Sequence, residues 1–263
     1  LVTVLPWLYF VLRRYLSRST AVRTFSVLVL GGLQGSLGWW MVKSGLVNEP
    51  RVSHYRLAAH LLLAFSVGQW ILWQALDLLP APQLGKSPGV PRSTRALTWG
   101  LLPLLALQVV YGALMAGTRA GYVAATFPDM NGYYAPWHFF SPSAFGVSLL
   151  DNPLTIHYVH RVLAFALLLY VMALGWLLRA APPLLGASAV FLVLATLGQT
   201  VLGVLTVLLR VPLPVAVVHQ GGAYVLCSAG LLFAHAAWTA TRQPAPSGRV
   251  RTVSEAAAIS QAS

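Results

Sequence analysis

Charged residues are scarce in this chain, and acidic residues are the scarcest. Only 8% of the 263 residues are charged, and five of them are Asp or Glu. Because soluble domains carry about 25% charged residues, this composition excludes an ordinary soluble protein. The 17 Lys and Arg residues give a net charge of +12, but they are spread between apolar segments. This distribution argues against a nucleic-acid partner and indicates membrane topology.

Cysteine is almost absent. Cys227 is the only one, which excludes an intrachain disulfide and a thiolate metal cluster. The sequence also lacks a glycine-rich phosphate loop, a nucleophile elbow and zinc-ligand spacing. It begins with Leu1 rather than Met, and we therefore expect that the natural N-terminus is missing.

Six apolar segments are long enough to cross a bilayer, which takes about 20 residues. They cover 22–42, 55–79, 96–117, 156–178, 185–209 and 215–239. The sequence therefore predicts an all-α integral membrane protein in contact with lipid. The opening LVTVLPWLYFVL is too short to cross, and we interpret it as the stub of another helix.

Lys and Arg residues predict the orientation of these spans. One set of connections carries eleven of them and the other set carries six. Because cytoplasmic loops carry the excess, we predict a multi-pass protein of the cell inner membrane with a cytoplasmic C-terminus. The 118–154 connection then faces outward as a structured cap, and the tail 241–263 is predicted to be disordered.

A Gln-x-x-x-Gly spacing occurs three times, each time in the span before one that carries a histidine. The copies begin at Gln34, Gln108 and Gln199. This repeat predicts two parallel four-helix-bundle repeats, of which the first is incomplete. The expected domains are an N-terminal half over 1–80, a cytoplasmic connection over 81–95 and a C-terminal half over 96–240. We interpret the glutamines as interhelical hydrogen-bond donors rather than catalytic groups.

Three histidines lie four to six residues inside the outer ends of their spans: His60, His160 and His219. Ionisable residues within a membrane span indicate function, and two facing imidazoles can ligate a haem iron. His160 and His219 lie on alternate helices of one repeat, as a bis-histidine site requires. Alanine follows each of the three histidines at i+4, where it would leave room for a flat macrocycle.

Other polar residues allow weaker interpretations. Arg56, Arg161 and Arg51 are placed to pair with haem propionates, and interfacial anchoring is the alternative for each. His157 shares a helix face with His160, but it lies nearer the helix start and is predicted to be interfacial. His54, His138 and His235 are predicted to be surface or packing residues.

Several long strings resemble the haem A synthase family, in the branch that many bacteria and mitochondria share. They are LQGSLGWWMVKSGL, PRVSHYRLAAHL, AGTRAGYVAATFPDM, HYVHRVL and PLPVAVVHQGG. The resemblance covers about residues 1 to 239.

This resemblance implies an eight-helix oxidoreductase that oxidises the C8 methyl of haem O to a formyl group. The haem A product serves cytochrome oxidase. His160 and His219 match the two ligands of a haem b in the C-terminal half, and His60 matches one of two histidines that receive the substrate haem. The implied partners are haem O synthase, an electron acceptor and further copies of the chain.

The family's first helix and the Glu-x-x-His-Arg motif of its second helix have no counterpart in this sequence. We therefore expect a fragment of a complete synthase, with doubtful activity as it stands, rather than a half-site protein. The alternative function is a non-catalytic membrane cytochrome b that carries electrons, which would not need WWMVKSGL and RVSHYRLAAHL. Transport is disfavoured because the histidines lie away from the midplane.

Overall fold

The computed structural model describes residues 2–43, 51–79, 92–135 and 149–240. The helices in these ranges are α1 (Val4–Leu12), α2 (Arg18–Lys43), α3 (His54–Leu78), α4 (Arg92–Thr118), α5 (Pro153–Leu177), α6 (Pro183–Leu208) and α7 (Leu213–Ala240), with a 3-10 turn at Ala120–Tyr122.

Six of these helices, α2 to α7, are long and apolar enough to cross a membrane. The prediction of six spans in an all-α multi-pass membrane protein is thereby confirmed. The helices begin one to four residues before the predicted spans, so their first turns extend past the apolar segments. In α5, Oδ1 of Asn152 accepts from the backbone N–H of Leu154 at 3.0 Å and of Thr155 at 3.2 Å, and Pro153 follows the cap. Both features favour a helix start.

The last four helices pack as a closed ring. Each of α4, α5, α6 and α7 contacts its two neighbours, and α7 closes the ring against α4. Side chains from all four helices form the core, which includes Leu101, Val171, Leu192 and Phe233. Because every helix contributes to this core, its burial fixes the arrangement of the four helices relative to one another.

The first three helices pack against the outside of this ring. Helix α3 contacts α4 and α7, α2 contacts α3, and α1 contacts α2. No residue of α2 is buried, and large apolar side chains such as Trp39 and Val29 are exposed on it. An apolar exposed surface of this kind is suited to lipid.

Two acidic residues connect helices at opposite ends of the molecule. Asp77 of α3 pairs with Arg23 of α2 at 2.8 Å and with His235 of α7 at 3.2 Å. Asp151, just before α5, accepts from His54 at 3.0 Å and from the Tyr55 hydroxyl at 2.7 Å. These contacts place the ends of α3 and α7 on one side of the bundle and the starts of α3 and α5 on the other.

The described part of the 118–154 connection, residues 119–135, is folded. Thr126 Oγ1 accepts from the backbone N–H of Asn131 at 2.7 Å, and the Asn131 amide donates to the Val123 carbonyl at 2.9 Å. His138, the tail 241–263 and most of the predicted connection 81–95 lie outside the described residues.

Candidate functional site

Each of the three intramembrane histidines contacts a glutamine on the preceding long helix. The amide Nε2 of Gln34 lies 3.1 Å from Nδ1 of His60 and 3.1 Å from its backbone oxygen. The corresponding distances are 3.3 and 3.3 Å for Gln108 and His160, and 3.2 and 2.9 Å for Gln199 and His219. One glutamine therefore holds both the ring and the backbone of the histidine it faces.

The glycine four residues after each glutamine makes room for the same imidazole. A Cβ added at Gly38, Gly112 or Gly203 would lie 2.9, 3.4 or 3.1 Å from Cε1 of the histidine ring. The i and i+4 positions share a helix face, so glutamine and glycine act together on one ring. We refer to each such set as a Gln–Gly–His unit. The units join α2 to α3, α4 to α5 and α6 to α7.

Two of the units open into one cavity of about 500 Å³ inside the α4–α7 ring. All three residues of each unit line it, and so does the alanine four positions after each histidine. The two sets are Gln108, Gly112, His160 and Ala164, and Gln199, Gly203, His219 and Ala223. The predicted alanines at i+4 from these histidines therefore do line the cavity. His60 is not among the lining residues, although Leu61 and Phe65 of the same helix are.

The residues of this cavity fit a haem. Its volume is that of a small-molecule or cofactor site, and two imidazoles project into it from α5 and α7. Its further lining is mostly apolar, as in Leu105, Val109 and Phe165. The buried side-chain oxygens of Gln108 and Gln199 have no hydrogen-bond partner among the described residues. Two imidazoles facing an apolar cavity form a donor set that suits haem iron.

Arg161 lines the cavity and holds the 123–130 segment. Its Nη1 donates to the Asp129 carbonyl at 2.8 Å, and its Nη2 donates to the carbonyls of Ala124 and Thr126 at 3.2 and 2.9 Å. Its Nε donates to His157 at 3.0 Å. Because a guanidinium has five N–H donors, these contacts leave one N–H on Nη1 for a further acceptor.

The expectation that His157 is an interfacial residue is wrong. Its side chain is fully buried, its Nε2 accepts from Arg161, and it lines the cavity beside His160. The 119–135 segment covers this end of α5, and sequence position alone does not reveal that cover.

The remaining candidates have contacts within the protein. Arg56 donates to the Trp40 carbonyl at 2.9 Å, and its guanidinium lies 4.1 Å from the centre of the Trp40 ring. This geometry ties α3 to α2. His54 and His235 contact Asp151 and Asp77, as expected of packing residues.

The sequence predicted that the glutamines bond between helices but not that they hold the histidines. The signal was present, because each Gln-x-x-x-Gly precedes a helix with an inward histidine. Reading it as a histidine-holding unit required the spatial pairing of the helices.

Residues 1–231 match a family described as cytochrome oxidase assembly protein. The chain is similar to proteins named heme A synthase: 39% identical over 88% of the chain to one from Parvibaculum lavamentivorans, 40% over 88% to one from Nitrosospira multiformis, and 41% over 86% to one from Rhodospirillum centenum. It covers 65%, 65% and 60% of the lengths of these relatives, which is less than two thirds.

Proposed function

The chain belongs to the haem A synthase family of cytochrome oxidase assembly proteins, and on this premise we propose that it oxidises the C8 methyl of haem O to the formyl group of haem A. The observation that carries the proposal is the pair of Gln–Gly–His units facing one cavity. A relative that is 41% identical over 231 aligned residues is named heme A synthase.

The C-terminal half, 96–240, is proposed to hold a haem b between His160 and His219. Both imidazoles line the cavity and are fixed by a glutamine and a glycine. The small side chains of Ala164 and Ala223 line the cavity one turn beyond them. Bound haem supplies one-electron redox chemistry. The protein supplies the ligands, an apolar surround and, through the remaining N–H of Arg161, a partner for a propionate.

The N-terminal half, 1–80, is proposed to receive the haem O substrate at His60. The support is local: His60 is held by Gln34 and Gly38 in the same way as the two cavity histidines. Arg56 lies one turn before His60 on the same helix, and its contact with Trp40 places its guanidinium at the end of α2. This position suits a propionate of the substrate.

The orientation of the chain in the membrane and its partners are part of the same proposal. Lys and Arg counts support a cytoplasmic C-terminus, with the histidine-bearing ends toward the outside of the inner membrane. Haem O synthase would supply the substrate and an electron acceptor would remove electrons. Self-association of the chain is a further element of this proposal.

The test is extraction and chromatographic separation of the haems of whole cells. The 263 residues alone are proposed to have doubtful activity, so His60→Ala is introduced into the gene in its own cells. Haem A is expected in cells with the unsubstituted gene and is expected to be lost in His60→Ala. The matched control is His54→Ala, because His54 lies on the same helix but contacts Asp151. Equal haem A formation in both variants would remove His60 from the site. A protein with redox-active haem b but no haem A formation would be an electron carrier.

A further inference from the structure

The side-chain oxygens of Gln108 and Gln199 are buried without a hydrogen-bond partner among the described residues, and so is that of Gln34. An unsatisfied buried polar group destabilises a fold, so its presence calls for an explanation. In each case the amide nitrogen faces the histidine ring and its backbone oxygen, and the amide oxygen faces away. At His60 and His160 the nitrogen also lies 3.3 Å from the ring Nε2. A Cβ added at Gly222 would collide with the Gln199 oxygen, so Gly222 leaves space for this amide.

Iron ligation reverses what the histidine needs from its neighbour. A neutral imidazole has one N–H and one lone pair. When Nε2 gives its lone pair to iron, Nδ1 carries the proton and becomes a donor, which other metal-bound histidines give to a carbonyl or a carboxylate. The amide nitrogen of Gln199, now 3.2 Å from Nδ1 of His219, is itself a donor. The acceptor within reach is the oxygen of the same amide.

We propose that Gln108 and Gln199 are positioning residues whose amide oxygens accept the Nδ1 protons of iron-bound His160 and His219. Turning the amide about its last side-chain bonds exchanges its oxygen and nitrogen, which occupy nearly the same space. The turn gives up the hydrogen bond from the nitrogen to the backbone oxygen of the histidine, at 3.3 Å for Gln108 and 2.9 Å for Gln199, and the bond from the iron-bound ring replaces it. The accepted hydrogen bond fixes the tautomer and the plane of each ring. This inference rests on the proposed haem b ligation. It adds a role for the amides that the ligands alone do not require.

A hydrogen bond accepted at Nδ1 would change the midpoint potential of the bound haem. An acceptor at Nδ1 raises the basicity of the histidine as a ligand, and a more basic ligand stabilises ferric over ferrous iron. The two glutamines therefore lower the midpoint potential of the haem, since hydrogen bonding around the ligands sets this potential. Removing one acceptor raises the potential, and replacing it by a carboxylate lowers the potential further.

Gln69 separates this role from ordinary helix packing. Its amide oxygen is also buried and unpartnered among the described residues, but its nitrogen donates to Ser228 at 3.2 Å and contacts no histidine. It joins α3 to α7, two spanning helices, as the other glutamines join their own pairs. Gln69→Leu is therefore a matched control for loss of an interhelical amide.

The experiment compares Gln199→Leu, Gln199→Glu and Gln69→Leu in the purified haem-loaded protein. Low-spin haem b absorption reports ligation, redox titration reports the midpoint potential, and electron paramagnetic resonance reports the ring planes. We expect low-spin haem in all variants, a higher potential in Gln199→Leu, a lower one in Gln199→Glu and no shift in Gln69→Leu. A tenfold change in the preference for ferric haem corresponds to about 59 mV. Gln108→Leu tests the same prediction at His160 and is expected to raise the potential.

Wild-type potential and resonance values in both leucine variants at these sites would overturn the inference while leaving haem ligation intact. A shift of the same sign in Gln199→Leu and Gln199→Glu would also overturn it, because a purely structural role does not distinguish the two. A wild-type protein without low-spin haem b would instead overturn the proposed function, and this inference with it.

Discussion

Replacing Gly203 with alanine would put a methyl group against the imidazole of His219. The new Cβ would lie 3.1 Å from Cε1 of the ring, whereas ordinary carbon contacts begin at 3.4 Å. The ring would have to retreat by about 0.3 Å or more, which is the difference between an ordinary contact and a repulsive one. Because an iron-bound ring is fixed at its other edge, we expect this strain to oppose haem binding.

Overpacking by one methyl group costs about 1–3 kcal/mol, which corresponds to a loss of haem affinity of about 5- to 150-fold. In the haem-free protein Gln199 is the described side chain that holds the ring by a hydrogen bond, so the ring can shift by this distance at a smaller cost. Alanine also favours a helix over glycine by about 1 kcal/mol. The thermal stability of haem-free Gly203→Ala should therefore equal or exceed that of the wild-type protein.

Haem transfer from the protein to apomyoglobin, followed by absorption, measures this affinity. Gly198→Ala on the same helix is the matched control, because nothing lies within 4 Å of a Cβ at that position. Gly112→Ala should have a smaller effect than Gly203→Ala, since its Cβ would lie 3.4 Å from the His160 ring. Haem held as tightly by Gly203→Ala as by Gly198→Ala would refute the reasoning.

Three further outcomes are expected. His219→Ala should abolish the low-spin haem b spectrum. The control His235→Ala, on the same helix, should retain this spectrum. A retained spectrum in His219→Ala would contradict the ligand assignment. Arg161→Leu should speed backbone hydrogen exchange in 123–130, because the carbonyls of this segment lose their guanidinium donor. Unchanged exchange would show that Arg161 does not hold the segment. Asp77→Asn should lower the free energy of unfolding by only about 0.2–1 kcal/mol, since its partner Arg23 is half exposed. A larger loss would mean that the Asp77 contacts govern the packing of these helices.

Much of the fold was predictable because a membrane span is a local property of the sequence. Length and apolar composition are sufficient to identify α2 to α7. The histidines were also predictable as a group, since an ionisable side chain in a span is conspicuous. That His160 and His219 share a cavity followed from their places on alternate helices of one repeat, and the structure agrees.

The contacts of residues 119–135 could not be predicted from local sequence. The burial of His157 and the carbonyl contacts of Arg161 depend on how 119–135 folds back over α5, and thus on residues up to 37 positions apart. The role of Asp77 likewise depends on His235, which lies 158 positions away. Periodicity and composition carry no information about such pairings, because they describe each helix alone.

The Gln–Gly–His unit also bears on the order in which the protein assembles. The contact between Gln199 and His219 spans 20 residues and that between Gln34 and His60 spans 26. Contacts between residues close in sequence form early, so each helix pair can set its histidine as soon as both helices are inserted. The cavity needs α4 and α5 together with α6 and α7. A nascent chain would thus carry oriented imidazoles before the cavity that they line has formed.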